Sequence, residues 1–344
     1  MEALSQGREG WHARFVMKHP ALLSLVLLAS CSATPAPAPA PSEASAPALA
    51  PTEIVAAAPV ADWSAIAPSD LLVMDLSPGA KGAARRVVIQ LLPAPFSQGW
   101  IGNIRKLAAA KWWDGTAVNR VQDGYVVQWG DPDGEDKAKA KPLPPGLSKV
   151  DAASYATSSS EVRPLVADAI AHEALGTPHP NTPIFMKDAY ADTTLVWRGW
   201  PIGTDGEKMW PIHCYGTVGV GRDYPPDTGS GAELYAVIGQ APRQLDRNIA
   251  VVGRVIDGME NLSSLPRGTG DIGFYKTAEE RTPILSIRIG SEVPGLPRYE
   301  YLSTDSKSFA AYADARANRR DSFYIRPAGG VDICNVPVPV RRVP

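Results

Sequence analysis

The chain has 344 residues, 33 of them proline and 30 glycine, a combined share well above the usual level of about 12%. No Gly-X-Y period runs through it and 44% of its residues are hydrophobic, which excludes a collagen and a globally disordered chain. A formal net charge of −2 and a pI near 6.2 argue against a nucleic-acid binder, which needs a basic face.

In chain order, Met17-Lys18-His19 forms a basic head before the apolar run Ala21 to Ala29, and Leu28-Ala29-Ser30-Cys31 puts small residues before a cysteine. Residues 1–31 therefore read as a secretory signal. Its apolar core is about half the roughly 20 residues that a membrane span needs. The stretch resembles a bacterial lipoprotein signal, in which Cys31 becomes the lipidated first residue of the mature chain; an ordinary cleaved signal is the alternative. With Ser32 rather than Asp after the cysteine, the resemblance implies the outer membrane, so the expected location is the periplasmic side of the cell envelope. Seven prolines and twelve alanines lie among the 31 residues Ser32 to Asp62, and residues 32–68 read as a Pro/Ala-rich tether. Removing Cys31 leaves Cys214 and Cys334, an even pair that an oxidising compartment is expected to join as a disulfide; two unrelated buried thiols are the alternative.

From Ser69 onward the pattern changes to strands and turns. Leu71–Met74 and Arg86–Leu92 flank the turn Ser77-Pro78-Gly79 and predict a hairpin. Trp100, Ile101, Ile104, Leu107 and Ala108 recur at helical spacing and predict an amphipathic helix that ends before Trp113-Asp114-Gly115. Ala117-Val118, Tyr125–Trp129, Gly216–Val220, Leu234–Ile238, Ile249–Val255 and Ile284–Ile289 read as further strands, with a helix-like stretch at Gly258–Leu265. Many short strands with one early and one late helix point to a closed barrel with helical caps. Residues 132–211, with ten prolines and a possible short helix at Ser160–Leu175, read as a loop-rich insertion. Residues 291–344 read as a C-terminal extension, with a helix capped by Thr304 and an extended tail.

One constellation carries chemistry. Ala94-Pro95, Trp113-Asp114-Gly115-Thr116, Asn119-Arg120-Val121 and Tyr125-Val126-Val127-Gln128-Trp129-Gly130-Asp131 stand in order, followed by Gly229-Ser230-Gly231-Ala232-Glu233-Leu234-Tyr235 and Leu245-Asp246-Arg247-Asn248. These two ordered blocks resemble the cyclophilins, over about 69–290 apart from the insertion. The resemblance implies a mainly β chain, a closed eight-stranded antiparallel barrel capped by two helices, with the loop-rich insertion and the C-terminal extension added to it. It implies a peptidyl-prolyl cis-trans isomerase, with no cofactor and no metal, acting as a monomer on proline-containing polypeptide segments. Rotation about an amide must break resonance worth about 18–20 kcal/mol, which calls for an apolar slot and a fixed hydrogen-bond donor rather than an acid or a nucleophile.

By position, Arg120 is the family's catalytic arginine and Gln128 its backbone-holding glutamine. Tyr125, Val126, Tyr235 and Leu245 match its pocket wall. Val220, Gly221, Arg222, Glu233, Gln244 and Ile249 occupy the remaining substrate-binding positions. Asn119, Trp129, Glu233, Gln244 and Ile249 depart from the family's residues, as does the loop Gly216–Arg222; Arg120 and Gln128 are retained. A peptide-binding module without turnover, or a structural envelope lipoprotein, are the rival readings. Since arginine does not titrate near neutrality and no histidine is placed in the site, the rate is expected to be nearly flat from about pH 6 to 8.

Weaker signals fall away on context. Asp227-Thr228-Gly229-Ser230 matches a short aspartic-protease signature, yet Tyr224-Pro225-Pro226 precedes it where an apolar strand is required, so a turn is expected. Gly219-Val220-Gly221 lacks the third glycine of a dinucleotide loop. His213-Cys214 are sequence neighbours, which alternate faces in a strand and make a poor nucleophile pair. His172 and His179 show no metal-ligand spacing.

Overall fold

The computed structural model describes residues 48–160, 162–164, 166–167 and 188–343. The signal, Cys31, His172, His179 and part of the expected helix at Ser160–Leu175 lie outside the described residues.

The elements in order are α1 (Pro51–Ala57), β1 (Trp63–Ile66), β2 (Leu71–Leu76), β3 (Arg85–Leu91), α2 (Gln98–Ala109), β4 (Ala117–Val121) and β5 (Val126–Gly130). Then come β6 (Thr157–Ser158), β7 (Thr193–Trp197), β8 (Trp200–Thr204), β9 (Lys208–Pro211), β10 (Thr217–Val220), β11 (Leu234–Val237) and β12 (Val251–Asp257). α3 (Glu260–Ser263), β13 (Thr282–Ile289), β14 (Arg298–Leu302), α4 (Lys307–Ala317) and β15 (Val340–Val343) follow among the described residues. Eight strands close into an antiparallel barrel in the order β10-β11-β5-β4-β13-β2-β3-β12. Among the described residues no helix is long and apolar enough to cross a membrane.

Alternation explains why the barrel strands read as near-continuous apolar runs. Leu72, Met74 and Leu76 of β2 and Val87, Ile89 and Leu91 of β3 point into the main core. Leu71 and Val88, facing the other way, pack with Ile66 and Tyr299 in a separate cluster outside the barrel. Both faces are buried, so the polar half of the usual alternation is missing. Trp100, Ile101, Ile104, Leu107 and Ala108 of α2 join the barrel interior in one core. The polar atoms of this helix anchor loops. Trp100 Nε1 donates to the carbonyls of Thr228 and Gly229 at 3.0 Å, and Asn103 Nδ2 donates to Ser148 and Ser230 carbonyls at 2.8 and 3.0 Å. These bonds fix the loop that leads into Glu233 and Tyr235.

Three expectations change. The segment 132–211 is not loop alone: β6-β9-β8-β7 form a four-stranded sheet within it. Residues 48–68, expected as the end of a tether, are helix and strand. Pro51 opens α1 at a position that needs no backbone donor, and Ile54 and Val55 pack with Phe309 and Tyr312 of α4. β1 pairs with β14, which pairs in turn with β15, so the extended tail ends as a strand. In the extension the helix cap is Ser306 rather than Thr304, its hydroxyl accepting the Phe309 N–H at 3.0 Å.

Cys214 and Cys334 are joined by a disulfide across 120 residues of sequence, tying the turn before β10 to the C-terminal extension. Replacing both by serine is expected to lower the unfolding free energy by about 2–5 kcal/mol, the range for losing a native disulfide. Equilibrium urea unfolding of the oxidised protein and the double variant measures it, and superimposable curves would show that the link adds nothing.

Candidate active site

The site is a row of residues in register on the outer face of the barrel. On β5, Val127 and Trp129 point into the core, which leaves Val126 and Gln128 outside. On β11, Leu234 and Ala236 point in while Tyr235 and Val237 lie outside. Tyr235 is paired with Gln128 and Val237 with Val126. On β4 both Val118 and Val121 face the core, three positions apart. A register shift between Val118 and Arg120 absorbs the extra residue and brings Arg120 opposite Gln128. On the far side, Gly219 of β10 is paired with Tyr235, and a β-carbon there would meet the tyrosine's Cζ and hydroxyl at 2.3 Å. Glycine at this position lets the ring lie across the strand.

Arg120 is held from several directions. Its Nε donates to the Ile272 carbonyl at 2.8 Å and one terminal nitrogen to Gln128 Oε1 at 3.2 Å, while the other bonds Gln122 Oε1. The guanidinium also lies against the Tyr125 and Phe274 rings, at 5.7 and 5.3 Å from their centroids. Burial pulls its pKa down, with Tyr125 opposing, and arginine still keeps its charge at any physiological pH. The Ile272 carbonyl is delivered by a residue at φ 45°, a costly conformation for a β-branched side chain and of a kind that gathers at functional sites. Neither Ile272 nor Phe274 was picked out from sequence. They stand in an irregular loop some 150 residues downstream, and no local pattern points to it.

Beside Arg120 and Gln128, the apolar patch joins Val126, Tyr235 and Val237 with the partly buried Tyr125 and Ile249. Leu245 is half-buried and Gln244 exposed in the neighbouring turn. Arg222 donates twice to the Asn248 carbonyl, at 3.1 and 3.0 Å, and so braces that turn instead of standing free. Gly221 passes close to Gln128, its backbone N–H donating to the Glu233 carbonyl at 2.9 Å. Val220 is a correction. Its side chain is fully buried in the barrel core, because strand alternation turns it inward, and it offers the outer face backbone alone.

Glu233, expected at a substrate-binding position, places a largely buried carboxyl next to Gly130 and Asp131. Its Oε1 accepts the Asp131 N–H at 2.7 Å, and the carboxyl fills the space that a β-carbon on Gly130 would take. Burial raises its pKa to about 7, against the lowering effect of the Asp131 N–H and of the Asn119 and Gln128 side chains. Asp227, in the suspected protease signature, accepts the Asp223 and Gly229 N–H groups and shapes a turn. The arrangement offers a permanent cation with aimed donors beside an apolar, water-poor surface. That combination suits stabilising a twisted amide and has no nucleophile in it.

Residues 87–289 match the family model described as cyclophilin type peptidyl-prolyl cis-trans isomerase/CLD. No curated protein matches the chain in sequence. Among solved structures, the chain is similar to the cyclophilin AquaCyp293 from Hirschia baltica, with 20% identity, a TM-score of 0.56, and 81% of this chain and 93% of that one covered. A Cryptosporidium parvum cyclophilin type peptidyl-prolyl cis-trans isomerase is more distant, with 14% identity and a TM-score of 0.36 over 64% of this chain and 97% of that one. The same protein solved in the presence of dipeptide Ala-Pro gives 13% identity and a TM-score of 0.35, over 64% and 98%. With the family model spanning more than half of the sequence and the closed barrel beneath it, the chain belongs to the cyclophilin-type peptidyl-prolyl cis-trans isomerases.

Proposed function

We propose that the outer row of the barrel is the isomerase site, and that it turns Xaa-Pro bonds in proteins folding or assembling in the cell envelope. The observation that carries this reading is the alignment of Arg120, Gln128 and Tyr235 on three neighbouring strands, beside one apolar patch. The pyrrolidine ring enters the patch formed by Val126, Tyr235 and Ile249, with Tyr125 and Leu245 at its margins. Gln128 holds the substrate backbone. As the amide twists, its nitrogen regains a lone pair and becomes basic, and an Arg120 N–H donates to it. Only the twisted state accepts that bond, so it lowers the barrier without tightening the ground state. The envelope location rests on the signal-like residues 1–31 and on Cys31 as a lipid anchor.

One observation favours a second reading. Nε and both terminal nitrogens of Arg120 already donate to protein acceptors, which suits a module that holds proline-containing segments without turning them over. Exchange NMR on an Ala-Ala-Pro-Phe peptide separates the two: peptide binding with no exchange above the uncatalysed rate would establish the module. For the isomerase, Arg120→Ala is expected to lower kcat/KM by about 10²–10³-fold, as for loss of one preorganised donor. Arg120→Lys is expected to recover little of it, because an ammonium lacks the planar fork.

Glu233 predicts a pH dependence. Ionised, the carboxylate competes for the Gln128 amide N–H that a substrate carbonyl needs. KM is therefore expected to rise between pH 6 and 8 and to lose that inflection in Glu233→Gln. Stability follows the same group. A carboxyl raised in the folded state holds a proton that the unfolded chain has given up, so its contribution is full below the unfolded value of 4.5 and falls as pH rises to about 7. Urea unfolding at pH 5 and pH 8 should show this loss in wild type and a smaller one in Glu233→Gln.

A further inference from the structure

Behind the proline pocket lies a chain of buried polar groups that the isomerase mechanism does not use. Tyr235 O is 2.8 Å from His213 Nε2, and His213 Nδ1 is 2.9 Å from Asp246 Oδ1, which also accepts the His213 backbone N–H at 3.0 Å. Asp246 Oδ2 accepts Arg243 Nε at 2.6 Å, and the two terminal nitrogens of Arg243 form a fork onto Asp188 at 2.7 and 2.8 Å. The side chains of His213, Asp246, Arg243 and Asp188 are all at most 5% exposed.

The direction of these bonds follows from what each group can do. A carboxylate only accepts, so the proton facing Asp246 sits on His213 Nδ1. Nε2 meets the Tyr235 hydroxyl, whose pKa burial holds well above its usual value, so that the phenol keeps its proton within the bond. Tyr235 and His213 lie nearly parallel, 10° apart with centroids at 6.3 Å. The hydroxyl end rests where a β-carbon on Gly219 would be. The ring is therefore fixed at its tip as well as at its root, and it cannot tilt without breaking a buried hydrogen bond.

We propose that His213, Asp246, Arg243 and Asp188 are positioning residues that clamp Tyr235 and thereby set the fit of the proline pocket. The clamp also reaches the opposite wall, since Arg243 and Asp246 flank Gln244 and Leu245 in the same turn. Asp188 brings in the segment that leads to β7, which gives the insertion a direct mechanical link to the pocket. Apolar residues of equal volume would pack here at least as stably as buried charges. Directed bonds supply what packing does not, a single orientation of the ring.

This inference rests on the placement of Tyr235 in the proline pocket. Its test is exchange NMR with the Ala-Ala-Pro-Phe peptide on wild type, Tyr235→Phe, Asp188→Asn and their combination, with Arg120→Ala alongside. Tyr235→Phe, which keeps the ring and removes only the oxygen, is expected to raise KM about five-fold, with the loss falling on KM rather than kcat. Asp188→Asn is expected to act in the same direction. The combined variant should be no worse than Tyr235→Phe alone, because the clamp then has nothing to hold. The ¹⁵N shifts of His213 should report a protonated Nδ1 in wild type, and the Nε2 signal should move in Tyr235→Phe. If Arg120→Ala is inactive while Tyr235→Phe and Asp188→Asn keep the wild-type KM, the clamp is wrong and the site stands. If Arg120→Ala keeps full activity, the site reading itself fails.

Discussion

Register is the constraint on which this molecule depends. In a closed sheet no strand can slide independently of its two neighbours, and a slip by one residue would exchange the two faces. Gln128 and Tyr235 would then turn inward, and Val127 and Ala236 would face water. The proposed site is thus the outer counterpart of the core packing: Val118, Val121, Val127, Trp129, Leu234 and Ala236 fill the interior, and their neighbours in sequence form the outer row to which we assign the chemistry. The irregularity between Val118 and Arg120 is what adds a charged residue to that row without losing either inward valine.

Much of the barrel is legible in the sequence, because each of its strands is a short β-branched or apolar run bounded by Gly, Pro, Asn or Asp. The site is legible in a different way. Arg120, Gln128 and Tyr235 stand out through their family motifs; residue type alone would leave Tyr235 as packing. Val220 was misplaced because a motif gives order along the chain and not the face of the strand. Ile272, Phe274 and the His213–Asp246 pair stayed hidden because their partners are brought by tertiary structure, across 33 residues for the buried pair and 152 for Arg120 and Ile272. The Pro/Ala composition before residue 68 hid a helix for the same reason. α1 has little to recommend it locally, and its packing surface, α4, lies some 250 residues away.

The two charges beside the pocket behave differently with solution conditions. Arg120 is a fixed cation, its position determined by three acceptors and two rings. Glu233, tucked against Gly130 and raised to about 7, is an adjustable anion. Gln128 accepts from Arg120, and its neighbourhood contributes to holding the Glu233 pKa down against burial. On the proposed reading the constant part sets the chemistry and the variable part sets how firmly substrate is held.

The small sheet β1-β14-β15 has a consequence for how the protein is made. Trp63 to Ile66 find their partners at Tyr299 to Leu302, and β14 is flanked in turn by residues 340–343. β1 therefore has no partner until residues more than 230 positions further along the chain are in place. Contacts this distant in sequence are slow to form, and an open edge is an invitation to other strands. β1 and β15 cover the two edges of β14, so neither edge of the central strand is left open.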